Sequence, residues 1–155
     1  MFTLDWSFLS KKVVGTQTYF SWLMTAWETT LTISLFAFII AFTLGFLMGV
    51  FRTTQNKYLV LIGNIWTEIF RNIPVLVQIF LWYFVIPKIF PIFSKLPAFA
   101  LAVIALGLFT SSRISEQVRA GIQSIPTDQR YASLALGLTT YQSYRFVLLL
   151  SLIHI

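Results

Sequence analysis

Chemistry needs reactive groups that converge, so the polar residues come first. The acids are Asp5, Glu28, Glu68, Glu116 and Asp128, and the one histidine is His154. They are scattered along the chain. No carboxylate pair suits general acid–base work, and no cluster has metal-ligand spacing. No catalytic residue, metal site or cofactor is therefore expected. The chain has no cysteine, which excludes disulfides and thiolate chemistry. It also has no Gly-rich phosphate loop of the G-x-x-x-x-G-K-[ST] kind, so it should neither bind nor hydrolyse ATP by itself. Two polar features remain inside apolar sequence. Glu68 and Arg71 stand three apart and share a helix face if that stretch is helical. Ionisable residues at membrane depth are functional candidates, but the same pair at the membrane interface would serve stability and topology. Gln78 lies in an apolar run, where it could face a path for solute or bond between helices.

The elements that would position these groups are greasy. The chain has 155 residues, of which 57% are hydrophobic and only 10% charged. That is too apolar for the surface of a soluble domain. The excess of Lys and Arg, net charge +6, is accounted for by loops on the cytoplasmic side of a membrane rather than by nucleic acid. A span needs about 20 mostly apolar residues. Residues 29–51 form the first, with Trp22 and Trp27 near its start as interface anchors. Residues 58–86 predict one long helix, with a break or kink before Pro74 and a first half lying partly in the cytoplasmic interface. Residues 96–112 form the third. The expected organisation is thus an external N-terminal segment over 1–28, a transmembrane region over 29–112, a cytoplasmic segment over 113–150 and an atypical tail over 151–155. Arg52, Lys57, Arg113, Arg119, Arg130 and Arg145 fall on one side, and Lys11, Lys12, Lys88 and Lys95 on the other. The positive-inside rule then puts the N-terminus outside.

Gly45 and Gly49 are four apart on one face of the first span. They either let another helix approach closely or simply reflect the frequency of Gly in membrane helices. From Arg113 the sequence becomes more polar. "RISEQVRAGIQSIP" reads as helix to Ser124, stopped by Pro126. Thr127 is a candidate cap for the next helix, with Asp128 in its first turn. Gly137 suits the left-handed residue that ends that helix. Thr139 and Gln142 form a capping-box pattern for another. This predicts two short helices held at a fixed angle, with small residues Ala132, Ser133 and Ala135 allowing close docking of a partner.

These residues carry a resemblance. The chain resembles the membrane-spanning permease subunits of ATP-binding-cassette importers for polar amino acids. The family's cytoplasmic loop reads E-A-A, three residues, G, nine residues, I, one residue, L-P. Here Tyr131-Ala132-Ser133, Gly137, Val147, Leu149 and Leu150 stand at those positions. "EQVRAGIQSIP" and "EIFRNIPVLVQIFLWYFVIP" also match, and more narrowly the sequence is similar to glutamate/aspartate importer permeases. The resemblance implies an all-α, polytopic fold of the type I importer kind, with about three spans plus a coupling-helix loop. It implies a multi-pass protein of the bacterial inner membrane, surrounded by lipid. Its partners would be ABC ATPase subunits, a second permease subunit, alike or similar, and a periplasmic or extracellular amino-acid-binding protein. Tyr131, Ala132, Ser133, Ala135, Gly137 and Thr139 would meet the ATPase subunit. Tyr131 replaces the motif's acid and Ser133 its second Ala. The family continues with further spans where this sequence reads "LLLSLIHI", so a C-terminal truncation is expected. A truncated, non-transporting membrane remnant or scaffold is the alternative to a working permease.

Overall fold

The computed structural model describes residues 6–14 and 17–152. The first five residues, with Asp5, and the tail after Leu152, with His154, lie outside the described residues. A 3₁₀ turn (Trp6–Ser10) and a short antiparallel pair, β1 (Lys12–Val14) and β2 (Gln17–Thr18), precede the α-helices. The all-helical reading did not anticipate the pair. Helix α1 (Tyr19–Phe51) follows. Its start is set by Thr18 and Ser21, which exchange side-chain and backbone hydrogen bonds at 3.1 and 3.2 Å in a capping box. The helix therefore includes residues 19–28, assigned above to the external segment. Its 33 residues at about 1.5 Å each exceed the roughly 30 Å hydrocarbon core. The Thr29, Thr30 and Thr32 hydroxyls donate to carbonyls one turn back in the same helix, so each is satisfied without a neighbour.

Helix α5 (Ala98–Ser124) is the second long apolar helix. It runs parallel to α1, because their contacts rise in number together. Phe36 meets Phe99 edge-on, Ile40 lies against Gly107, Gly45 against Ser111, and Gly49 against Val118. Parallel neighbours require the intervening chain to travel back. That return is made by α2 (Lys57–Asn72), α3 (Val75–Phe80), a π-helical turn (Leu81–Val85) and α4 (Ile86–Ile89). Where a kinked single helix was expected, the two halves of this segment meet at 98°. Pro74 has no N–H to continue α2, and its ring holds Ile73 extended, at φ −89° and ψ 123°. Among the described residues the fold has two helices long enough to span a membrane, or three if the broken pair counts as one.

α2 crosses α5 near the latter's polar half. Trp66 bonds Ser111 and Thr67 bonds Ser115, both at 3.0 Å. Its polar and small face turns inward, while Leu61, Ile62, Ile65 and Ile69 are exposed. This is the reverse of a soluble helix, as expected where the outer medium is lipid.

Helix α5 continues without a break through Ser112 and Arg113, so the boundary drawn there between span and loop is not a structural one. It stops at Ile125, extended ahead of Pro126. Three short elements follow: α6 (Thr127–Ala135), α7 (Thr140–Ser143), and a π-helical turn (Tyr144–Leu148) leading into α8 (Leu149–Leu152). One sequence expectation is corrected here. Thr127 does not cap α6. The cap position falls on Pro126, which has no side-chain hydrogen bond to give, and Thr127 is the first helical residue. Asp128 does lie in the first turn. Val118 and Ile122 of α5 and Ile125 just after it form a buried cluster with Tyr144 and Leu148, with Phe46 and Val50 of α1 packed alongside.

Candidate functional site

The α6–α7 corner is the first place where the fold presents a shaped surface. Gly137 has φ +83°, the left-handed conformation that L side chains rarely adopt. Around it the Leu138 N–H donates to the Ser133 carbonyl at 3.2 Å and the Gly137 N–H to the Leu134 carbonyl at 3.0 Å. This is the double bond of a Schellman motif and satisfies the last carbonyls of α6. Two residues later Thr139 and Gln142 complete a capping box for α7. Stop and start are thus both hydrogen-bonded, and the angle between the helices is fixed locally.

The candidate interface residues divide at this corner. Tyr131, Ala132, Ala135, Gly137 and Thr139 are exposed. Leu136 is 83% exposed, and Tyr141 also stands out from the surface. Ser133 does not join them. It is buried, and its hydroxyl bonds that of Ser143 at 2.6 Å, so it ties α6 to α7 instead of facing outward. Tyr144, next in the chain, donates its hydroxyl to the Thr53 carbonyl just past α1. The corner is therefore anchored to the end of α1 and, through the apolar cluster, to α5.

Above it lies a charged seam. Arg52, whose side chain is 4% exposed, donates to Glu116 at 3.0 Å, to Asn64 at 2.9 Å and to Ser115 at 3.4 Å. Glu116, 34% exposed, accepts from Arg71 on the same oxygen at 3.0 Å. Arg71 also reaches Glu68 at 3.3 Å, and Glu68 takes a bond from Asn72 at 2.9 Å. The Glu68–Arg71 pair is thus the exposed end of a chain of charges that binds α1, α2 and α5. Sequence reading missed Arg52, Asn64, Ser115 and Glu116. Arg52 read only as a topology charge, and no local pattern links it to a glutamate 64 residues later.

Gln78 is 2% exposed. Its amide N–H groups donate to the Phe70 and Ile73 carbonyls at 2.7 and 3.2 Å, which closes the frayed end of α2 at the break. Gly45 and Gly49 sit where α1 meets α5. A Cβ on Gly45 would lie 2.6 Å from the Ser111 carbonyl oxygen, and one on Gly49 would lie 2.6 Å from the Val118 Cβ. Among the described residues no group of His, Cys, Asp or Glu is placed to hold a metal. The arrangement ties an exposed corner, by hydrogen bonds and apolar packing, to a pair of long apolar helices.

Comparison with known proteins bears on that arrangement. The family model described as the binding-protein-dependent transport system inner membrane component matches residues 41–153, which include the seam and the corner. The glutamate/aspartate import permease protein GltJ of Escherichia coli (strain K12) is 41% identical over 160 residues, covering 95% of this chain and 65% of GltJ. The probable amino-acid permease protein YxeN of Bacillus subtilis (strain 168) is 34% identical, covering 96% of this chain and 63% of YxeN. The chain therefore spans somewhat under two thirds of the length of these relatives. The crystal structure of an amino acid ABC transporter with histidines superposes with a TM-score of 0.68 at 27% identity, over 90% of this chain and 66% of that one. With the family model covering the end of α1, all of α5 and the capped corner, the chain belongs to the binding-protein-dependent transport system inner membrane components.

Proposed function

We propose that this chain is a membrane-spanning subunit of an ATP-driven importer of polar amino acids in a bacterial inner membrane. The observation that carries the reading is the α6–α7 corner, which is exposed, capped at both turns and anchored to α1 and α5. An isolated loop joining two spans has no need of such rigidity. A lever that must pass force from a soluble subunit to the spans does. Tyr131, Ala132, Ala135, Leu136 and Gly137 would enter a groove on an ABC ATPase subunit. ATP-driven closure of two such subunits would move the corner as a rigid body. The Tyr144–Thr53 bond and the cluster at Val118 and Ile122 would carry that movement to the helix pair. A second permease subunit and an amino-acid-binding protein complete the assembly. ATP hydrolysis belongs to the ATPase subunits.

Glutamate or aspartate is the favoured cargo. GltJ, the relative named for it, shares 41% of aligned residues, whereas YxeN at 34% is named only for amino acids. The test is crosslinking in native membranes from Thr139→Cys, followed by intact mass of the product. A crosslink to an ATPase subunit supports the coupling role. Its absence from a correctly inserted chain favours a non-transporting scaffold.

A further inference from the structure

A groove of about 400 Å³ opens beside the last two turns of α1. Phe46 and Val50 of α1 wall it on one side, and Tyr144 and Leu149 of the segment after α7 on the other. Its polar lining includes Thr54, just past the end of α1, and Arg145, in the turn that follows α7. The apolar run of α1 ends where Arg52 begins. If α1 crosses the membrane, Phe46 and Val50 therefore lie at hydrocarbon depth, and Thr54 and Arg145 at the level of the headgroups.

Arg145 is the charged group of this groove. Arg52 and Arg71 both spend their charge on Glu116. Arg145 has no ion pair among the described residues. It is exposed, with its guanidinium over the Phe146 ring at 5.4 Å, and no acidic side chain lines the groove. A fitting occupant brings an anion to Arg145 and an apolar chain to the walls. A spanning helix of another subunit would cover the walls and bring no anion. A free phosphate would meet Arg145 and leave the walls bare. A phospholipid with a net negative headgroup supplies both, and a planar guanidinium suits its phosphate oxygens. We infer that the groove between α1 and the segment after α7 is a binding site for an anionic phospholipid of the cytoplasmic leaflet. An acyl chain lies against Phe46, Val50 and Leu149, and the phosphate meets Arg145. The inference needs α1 to cross the membrane with the corner on the cytoplasmic side. It does not need the corner to couple to an ATPase, so either can fail alone.

Thr43 is exposed and lies one turn before Leu47, another lining residue, so the two share a helix face. A fluorophore on Thr43→Cys therefore reports on lipid in the groove, and the chain has no other cysteine. The assembled transporter, its other subunits cysteine-free, is reconstituted in vesicles of equal phosphatidylglycerol and phosphatidylcholine. One or the other carries bromine midway along its acyl chains, and quenching gives their relative occupancy. Phosphatidylglycerol should be favoured about fivefold, the scale of one arginine at an anionic surface. Arg145→Gln should bring the ratio to about one, and Arg145→Lys should keep most of the preference. Arg113→Gln removes an exposed charge from α5 and should leave the ratio unchanged. A ratio near one in the wild type, or an unchanged ratio in Arg145→Gln, overturns the site. So does an equal fall in Arg113→Gln, which would mean diffuse surface charge. Absence of quenching by either lipid overturns it too, because another polypeptide would then cover the groove.

Discussion

Glu116 is the hinge of the charged seam, because one of its oxygens serves both Arg52 and Arg71. Removing its charge leaves Arg52 buried beside neutral donors and acceptors only, and breaking a buried pair from one side is expensive. Glu116→Gln should cost about 2 kcal/mol, near the lower end for such pairs because the carboxylate is one-third exposed. Glu68→Gln touches the exposed end of the same chain and should cost no more than about 0.5 kcal/mol. Thermal unfolding of the two variants in detergent checks this, and equal losses would mean that Arg52 is better solvated than its burial implies. Legibility at this scale was uneven. Gly137 and the Thr139–Gln142 box were readable because their causes are local, a backbone angle and a three-residue spacing. The partners of Arg52 and the direction of Gln78 depend on which helices meet, and single positions carry no record of that. Ser133 shows the same limit. Its small size marked it for docking, yet the neighbour it meets is Ser143 of its own chain.

At the scale of elements, two glycines with different duties make a controlled pair. Gly49→Ala would put a methyl group 2.6 Å from the Val118 Cβ and 3.0 Å from the Ser115 carbonyl oxygen. One helix must move off the other, so the loss should be about 2–3 kcal/mol, as for overpacked cores, with a looser α1–α5 pair. Gly137→Ala meets no atom within 4 Å. Its penalty is the backbone angle alone, about 1–2 kcal/mol confined to the corner. Hydrogen exchange separates the two. Gly49→Ala should speed exchange along the α1–α5 seam, and Gly137→Ala only in α6 and α7. A common pattern in both variants would show that corner and seam melt as one unit. The element map was mostly legible because apolar run length and proline stops are strong local signals. The 98° turn at Ile73–Pro74 was not, since proline foretells a break without its angle. The angle is set by α2 laying its polar face across α5 through Trp66, Thr67 and Arg71.

For the whole molecule, the parallel run of α1 and α5 constrains orientation independently of charge counting. If both helices cross the membrane, their parallel run requires one return between them, with the N-terminal end of α1 and the turn after α4 on one side and the α6–α7 corner on the other. The positive-inside rule names the corner's side as cytoplasmic. Both arguments can be tested with two cysteines in a chain that has none of its own. Ile92 lies in the 3₁₀ turn Pro91–Lys95 between α4 and α5 and is highly exposed, and Leu136 is the most exposed large apolar residue of the corner. In sealed right-side-out vesicles, Ile92→Cys should react with an impermeant maleimide at once, and Leu136→Cys only after the membrane is opened. Reaction of both from outside would mean that α5 does not cross the membrane between them. The corner would then face away from any cytoplasmic ATPase. Reaction of Leu136→Cys alone would mean either an inverted topology, against the positive-inside assignment, or that residues 57–89 re-enter the membrane on the side they left. Protection of Leu136→Cys even in opened vesicles, relieved by stripping the ATPase subunits, would place a partner directly on the corner.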